Sequence, residues 1–130
     1  MNQLQFLVID DDIEFTELIR IKLESWGHAV TVANNWLTAI FKADRIRFDC
    51  MLVDVDMPTG NGLTACRDLS TDPQFCAIKK VFITGKSDLE TKQRCHDLNA
   101  AYVHKSKDLF LNLRTAIDSI GEMTPVLTDG

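Results

Sequence analysis

The chain has 130 residues, a length that suits one domain with a single hydrophobic core, and it is 45% apolar and 25% charged, as globular domains are. Its formal net charge of −5 argues against direct nucleic-acid binding, because phosphate contacts need clustered Lys and Arg. Neither a signal peptide nor a membrane span is predicted, and four cysteines without a C-x-x-C pair indicate reduced thiols of a cytoplasmic protein.

The first predicted elements are a strand and a helix. Residues Phe6–Ile9 form an apolar run that is too short for a helix and is followed by acids, which is typical of a strand buried on both faces. An amphipathic helix over 12–26 follows, with Asp11 as its expected N-terminal cap and Gly27 at its C-terminal end.

Strands and helices are predicted to alternate along the rest of the chain. The remaining strands are expected at 29–33, 50–53, 81–84 and 101–104, and the remaining helices at 35–46, 63–69, 87–98 and 107–120. In the helix over 35–46, we expect Leu37, Ile40 and Phe41 to face the core. The helix over 63–69 must end before Pro73, since the residue before proline disfavours helical angles.

The alternation predicts an α/β fold with a parallel sheet covered by helices on both faces. We expect one domain at 1–121. The remaining residues, 122–130, have weak periodicity and are expected to be a flexible tail or the start of a linker.

Polar side chains follow four of the predicted strands. Asp10–Asp12 come after the first strand, Asp54 and Asp56 after the third, Thr84 at the end of the fourth and Lys105 after the fifth. Because the carboxyl ends of parallel strands meet at one edge, where such sheets bind ligands, we expect these groups to converge.

The converging groups suit phosphoryl transfer. Clustered carboxylates resist ionising together, and Mg²⁺, which prefers oxygen ligands, would relieve their repulsion. A carboxylate can act as the nucleophile and form an acyl phosphate, while Lys105 and Thr84 supply an ammonium and a hydroxyl for phosphate oxygens. Positioning and charge compensation do most of the catalysis in such sites.

Four segments of the chain resemble the landmark segments of response-regulator receiver domains. They are FLVIDDD, MLVDVDMPTGNGL, VFITGKSD and AAYVHKS, and they occur in the order and at the spacing of that family, so that the resemblance extends to about residue 120. It implies a flavodoxin-like (CheY-like) three-layer sandwich whose five-stranded parallel sheet has the order 2-1-3-4-5.

The resemblance also implies a role for each site residue. Asp54 is the phosphoacceptor, Thr84 the switch hydroxyl, Tyr102 the switch aromatic and Lys105 the lysine that pairs with the phosphoryl group. Gly85 matches the small position that leaves the site open. The implied Mg²⁺ ligands are Asp11, Asp54, the main-chain carbonyl of Asp56 and, mainly through water, Asp10.

By the same resemblance, the chain is a signalling switch that catalyses only its own phosphorylation and dephosphorylation. The phosphoryl group would come from a histidine kinase or a histidine phosphotransfer protein. An output partner would bind at the face formed by the fourth helix, the last strand and the last helix, and the resemblance allows a homodimer. No nucleic-acid or membrane partner is expected.

Two positions depart from the family pattern. Ser106 stands where a proline usually follows the lysine, often through a cis bond, so we expect either a trans bond with a reshaped loop or a strained exception. The aim of Lys105 depends on which of these holds. Lys86 lies two residues past Thr84, where receivers vary, and we expect it to alter autodephosphorylation.

Three other functions are alternatives to the switch. A pseudo-receiver that acts as a phosphorylation-independent interaction module is supported mainly by Ser106. A haloacid-dehalogenase-type phosphatase shares the D-x-D pattern of Asp54 and Asp56, but that motif needs Thr or Val where Pro58 stands. A flavodoxin-like redox protein is disfavoured because the acidic edge would repel a flavin phosphate.

Overall fold

The computed structural model describes residues 3–57, 60–61, 65–66, 72–85, 89–98 and 100–129, with the backbone alone for 56–57, 60–61 and 121–129. The strands are β1 (Gln5–Ile9), β2 (Ala29–Ala33), β3 (Cys50–Asp54), β4 (Asp56–Met57), β5 (Gly60–Asn61), β6 (Lys79–Thr84) and β7 (Ala101–His104). The helices are α1 (Ile13–Ser25), α2 (Trp36–Ala43), α3 (Pro73–Ala77), α4 (Leu89–Asp97) and α5 (Leu109–Asp129).

The main sheet has five parallel strands in the order β2-β1-β3-β6-β7. Counted along the main sheet alone, this is the predicted order 2-1-3-4-5, and the predicted fold class is therefore confirmed. The short strands β4 and β5 pair antiparallel and were not predicted. Since all five strands of the main sheet run the same way, their carboxyl ends lie at one edge.

Two hydrophobic layers enclose the sheet. Side chains alternate along each strand, so that Phe6 and Val8 of β1 belong to the layer under α1 and α5, and Leu7 and Ile9 belong to the layer under α2, α3 and α4. All four are at most 1% exposed. Burial on both faces explains why the strands appear in the sequence as continuous apolar runs, each buried side chain stabilising the fold by about 1.5–3 kcal/mol.

The cap of α1 is Asp12, and the prediction of Asp11 is wrong. The Asp12 carboxylate accepts a hydrogen bond from the Phe15 N–H at 3.0 Å. That bond satisfies one of the free backbone donors in the first turn of the helix. It leaves the Asp11 carboxylate available to the acidic cluster at the edge of the sheet. Gly27 follows the helix with φ at 95°, as a C-terminal glycine should.

Helix α2 buries a different stripe from the one predicted. Leu37 and Phe41 are 81% and 54% exposed, so the expectation that they face the core is wrong, whereas Ile40 does pack against it. Ala39 and Ala43 are the buried residues of this helix. Small side chains let the helix backbone approach the sheet closely, and the stripe that contains them therefore turns inward.

Pro73 begins a helix instead of only ending one. It is the first residue of α3, a position where its missing N–H costs nothing, and the Asp72 carboxylate caps this helix through the Gln74 N–H at 2.9 Å. The helix predicted over 63–69 falls mostly outside the described residues, and so does Ser87, from which the helix over 87–98 was expected to begin.

The last helix is longer than predicted, because α5 continues to Asp129 instead of ending near residue 120. The segment expected to be a flexible tail or linker is therefore helical as far as Asp129. A helix can continue on its own backbone hydrogen bonds, so weak apolar periodicity after Ile120 does not by itself end it. No helix in the described part of the chain combines the length and the apolar content needed to cross a bilayer.

Candidate functional site

Strand alternation brings three of the predicted site residues to one corner of the sheet. Asp10, Asp54 and Lys105 each lie two positions after a residue of the layer under α1 and α5. Those preceding residues are Val8, Leu52 and Val103. Because side chains repeat every two residues along a strand, all three site residues extend toward the same face, at the carboxyl ends of β1, β3 and β7.

The Lys105 ammonium bridges two of the acids. Its Nζ lies 3.5 Å from Asp10 Oδ2 and 3.6 Å from Asp54 Oδ1. Carboxylate oxygens of Asp10, Asp11 and Asp54 all lie within 4.8 Å of one another. The predicted convergence of acids and ammonium is thus present in the structure.

Burial makes Asp10 reluctant to ionise. Its residue is 2% exposed, and loss of contact with water raises the pKa of its carboxyl to about 6, with the neighbouring Asp54 charge acting in the same direction. The Asp12 N–H, which donates to Asp10 Oδ1 at 3.0 Å, and the Lys105 ammonium act against this rise. One lysine therefore compensates the crowded carboxylates only in part.

The donor set fits a hard divalent cation. Three carboxylates from the ends of two strands offer oxygen atoms close enough to share one ion, and oxygen is the ligand that Mg²⁺ prefers. Asp56 follows Asp54 by two residues and begins the strand β4. The sequence-predicted ligand set is therefore compatible with one site.

Thr84 and Tyr102 belong to the other face of the sheet. Thr84 is fully buried at the end of β6, and its carbonyl accepts the Lys105 N–H at 2.8 Å. Tyr102 pairs with Phe82 in the β6–β7 ladder and packs against the layer under α2, α3 and α4. The Lys92 ammonium lies 5.6 Å from the centre of the Tyr102 ring. The two predicted switch residues thus lie on adjacent strands and on the same face.

The loop after Lys105 has a trans peptide bond. None of the described residues follows a cis bond, so the bond to Ser106 is trans and the first of the two expectations holds. The Ser106 carbonyl accepts the Leu109 N–H at 3.0 Å, and its hydroxyl accepts the Asp108 N–H at 3.4 Å, so that Ser106 starts the turn into α5. Lys105 still faces the acids.

Two neighbours of the site were missed in the sequence. Phe15, in α1, lies under the Lys105 ammonium, with 4.4 Å between Nζ and the ring centre. Asn34 follows β2 at the same edge, and its Nδ2 donates to the Asp10 carbonyl at 2.8 Å. The position of Asn34 directly after a strand could have indicated that it lies near the site, whereas nothing in the sequence indicates this for Phe15.

The other residues singled out in the sequence are Gly85, Lys86 and the cysteines, and they make few contacts that bear on the site. A Cβ added to Gly85 would meet no heavy atom within 4 Å, which agrees with an open position. Lys86 lies outside the described residues. The thiols do not form a second reactive site among the described residues: Cys50, Cys66 and Cys95 are buried, and burial raises the pKa of Cys66 to about 12 and that of Cys95 to about 11.

Comparison with known proteins points to one family. The family model for the response regulator receiver domain matches residues 6–116. The transcriptional regulatory protein ZraR of Klebsiella oxytoca is 32% identical over 90 residues, which cover 68% of this chain and 20% of that protein. The chain thus spans about a fifth of the length of this relative.

Solved receiver structures share the fold. The chemotaxis response regulator CheY4 of Vibrio cholerae superposes with a TM-score of 0.80 at 23% identity, covering 92% of this chain and 99% of that one. The response regulator TrrA of Thermotoga maritima, solved in complex with Mg²⁺ and BeF, superposes with a TM-score of 0.78 at 23% identity, covering 91% of this chain and 99% of that one. At these identities the likeness shows the CheY-like fold.

Proposed function

The chain belongs to the response regulator receiver domain family, and we propose that it is a phosphorylation-dependent signalling switch that accepts a phosphoryl group on Asp54 with Mg²⁺ as cofactor. The observation that carries this proposal is the meeting of Lys105 with two acids from different strands, at 3.5 Å and 3.6 Å. A lysine with a purely structural role in one ion pair would need only one acidic partner, whereas Lys105 has two. Three carboxylates lie within 4.8 Å of one another and only one ammonium lies beside them, which leaves an excess of negative charge that suits a cation.

Asp10, Asp11, Asp54 and the main-chain carbonyl of Asp56 would hold the Mg²⁺. The bound ion supplies charge compensation for the phosphoryl oxygens and for the acids themselves. Support comes from the mutual approach of the three carboxylates within 4.8 Å. The fold neighbour TrrA was solved with Mg²⁺ and BeF, which supports the same choice of ion.

The residues of this chain divide the transfer step between them. An Asp54 carboxylate oxygen attacks the phosphorus of a phosphohistidine, and an O–P bond forms as the P–N bond breaks. The histidine nitrogen keeps the electron pair and takes a proton from solvent, so the products are an aspartyl phosphate and a neutral histidine. The Lys105 ammonium binds a phosphoryl oxygen by charge. It already lies 3.6 Å from Asp54 Oδ1, which is close enough to reach a phosphoryl group on that residue.

Phosphorylation would then shift a conformational equilibrium. The new group adds about two negative charges at the end of β3. We infer that Thr84 turns toward it and that Tyr102 moves into the vacated space, which is supported by their positions on one face of adjacent strands. The surface of α4, β7 and α5 would change with them and would be read by an output partner.

Receiver domains act with histidine kinases or phosphotransfer proteins, and the present chain is proposed to take its phosphoryl group from one of them. We propose that the receiver domain occupies 1–121, that the chain turns over no external substrate and that it acts in the cytoplasm, which is supported by its four free cysteines. Because the chain spans only about a fifth of the length of ZraR, the output of that relative is not transferred to this chain.

The alternatives receive less support. Ser106 was the main reason to consider a pseudo-receiver, yet Lys105 faces Asp10 and Asp54 despite the trans bond. A haloacid-dehalogenase-type phosphatase and a flavodoxin-like redox protein are disfavoured by the match of residues 6–116 to the receiver family.

The proposal is tested by measuring the intact mass of the protein after incubation with acetyl phosphate. We expect a gain of one phosphoryl group in Mg²⁺ and none in EDTA, and we expect beryllofluoride to suppress the gain by occupying the same site. A gain that is equal with and without the metal would contradict the proposed site.

Lys86 is expected to change the lifetime of the phosphorylated protein. A lysine two residues past Thr84 is close enough in sequence to pair with the phosphoryl group or with Asp56 and to control the approach of water. We expect the decay rate of the phosphorylated form to differ by about threefold or more in Lys86→Ala, the effect of a single charged hydrogen bond. Decay is measured by the loss of the added mass over time, and equal lifetimes would remove the hypothesis.

A further inference from the structure

The Lys105 ammonium has an aromatic neighbour that no part of the proposed mechanism has used. Its Nζ lies 4.4 Å from the centre of the Phe15 ring, as well as 3.5 Å and 3.6 Å from Asp10 and Asp54. We propose that Phe15 is a positioning residue, which holds the Lys105 ammonium at the phosphoryl site through a cation–π contact. This inference rests on the proposed function.

Lys105 needs an external support to keep its aim. Its side chain carries a flexible four-carbon stem and is 30% exposed, so several rotamers that reach into water compete with the one that faces the acids. The backbone fixes only where the stem begins, through the Lys105 N–H bond to the Thr84 carbonyl at 2.8 Å. The next bond, to Ser106, is trans and adds no constraint on the side chain.

Phe15 is well placed to provide that support. The Asp12 carboxylate binds the Phe15 N–H at 3.0 Å, and the Asp12 N–H binds Asp10 Oδ1 at 3.0 Å. The same residue thus fixes both the ring and one of the acids. The ring also packs against the layer under α1 and α5. The Phe15 backbone and the Asp10 carboxylate are therefore held by one short segment of chain at the start of α1.

A ring holds the ammonium in a way that a carboxylate cannot. The face of the ring attracts the cation without neutralising its charge, so that the full charge stays available to a phosphoryl oxygen. Contacts of this kind become stronger as water is excluded, and Lys105 is only partly exposed. We therefore expect the cation–π contact between Phe15 and Lys105 to raise the rate of phosphorylation by about three- to tenfold.

The test compares Phe15→Leu with Phe15→Tyr. Leucine keeps an apolar side chain but has no ring, whereas tyrosine keeps the ring, so we expect the second-order rate constant for phosphorylation by acetyl phosphate to fall by about three- to tenfold in the first and to stay within about twofold in the second. Phe110→Leu is the matched control, since Phe110 has a Lys22 ammonium 4.9 Å from its ring, between α1 and α5 and without any of the site acids. It should leave the rate unchanged.

A second readout does not depend on phosphorylation. The ring should shift the Hε protons of Lys105 upfield in the NMR spectrum of the wild type and of Phe15→Tyr, and the shift should vanish in Phe15→Leu. If Phe15→Leu does not fold, Phe15→Met takes its place.

The two readouts separate the possible failures. An unshifted Lys105 signal in the wild type overturns the inference, and so does a Phe15→Leu protein that is phosphorylated at the wild-type rate. A wild type that gains no mass in Mg²⁺ but shows the ring shift contradicts the proposed function. Phe15 would then contact Lys105 in a site that is not phosphorylated, and its role in phosphorylation would be overturned as well.

Discussion

Asp54→Asn is expected to abolish phosphorylation by acetyl phosphate while leaving the fold intact. Asp54 is the last residue of β3, is 6% exposed and lies 3.6 Å from the Lys105 ammonium. An amide of the same shape has no anionic oxygen with which to form an acyl phosphate, so the rate should fall by roughly a thousandfold or more, as for other lost nucleophiles. The measurement is intact mass after timed incubation in Mg²⁺.

The matched control for this prediction is Asp97→Asn. Asp97 ends α4 on the surface, where its Oδ1 accepts a hydrogen bond from Gln93 at 3.0 Å, and the change removes the same charge from the same kind of side chain. It should be labelled like the wild type. Labelling of Asp54→Asn at the wild-type rate would place the phosphoryl group on another residue and would refute the assignment.

Asp10→Asn is expected to stabilise the protein at pH 7 in the absence of divalent metal. Burial and the Asp54 charge raise the pKa of Asp10 from 3.8 to about 6, so the folded state binds the proton more tightly than the unfolded state does. The stability that comes from protonated Asp10 is complete below about pH 4 and is lost as the pH rises through about 6. At pH 7 this loss is about 2–3 kcal/mol, from a shift of about two pKa units.

Asparagine removes the buried charge and can keep the hydrogen bond from the Asp12 N–H. The free energy of unfolding, measured in urea without metal, should therefore be higher in Asp10→Asn than in the wild type by about 2 kcal/mol at pH 7, and the difference should shrink as the pH falls toward 4. Asp97→Asn should show no such pattern. A variant that is less stable than the wild type at pH 7 would show that Asp10 contributes more as a partner of Lys105 than its burial costs.

Mg²⁺ should reduce the difference in stability between Asp10→Asn and the wild type in this experiment. An ion that binds the folded state alone stabilises it by about 2.7 kcal/mol at a hundredfold excess over its Kd. The wild type keeps all three carboxylates and should gain this stabilisation, while Asp10→Asn should gain less. The acidic cluster therefore destabilises the metal-free fold and becomes favourable when the site performs its proposed function.

Much of the fold and of the acidic cluster was predictable from the sequence by itself. Each buried strand of the parallel sheet appears as an apolar run because both of its faces are covered, and each ends where the run meets a polar residue. Asp10, Asp54 and Lys105 follow such runs, and parallel strands bring their carboxyl ends to one edge. These inferences depend only on local patterns and on the common direction of the strands.

The tertiary structure decided which of two neighbouring residues performs a given role. Asp11 and Asp12 are equally good caps by residue type, and only the position of Phe15 makes Asp12 the cap and leaves Asp11 to the metal cluster. In α2, Leu37 and Phe41 look more suited to the core than Ala39 does, yet Ala39 is the buried one and the two larger side chains are exposed. Such choices depend on packing distances, which no periodicity encodes.

The direction of the Lys105 side chain was also decided by the tertiary structure. The substitution of Ser106 for the usual proline left its direction undetermined in the sequence, and the structure resolves it through Asp10, Asp54 and the ring of Phe15. Phe15 lies ninety positions before Lys105, so no spacing along the chain could pair them. Residue types and strand ends determine which chemical groups reach the edge of the sheet, whereas contacts between distant segments determine where each group points.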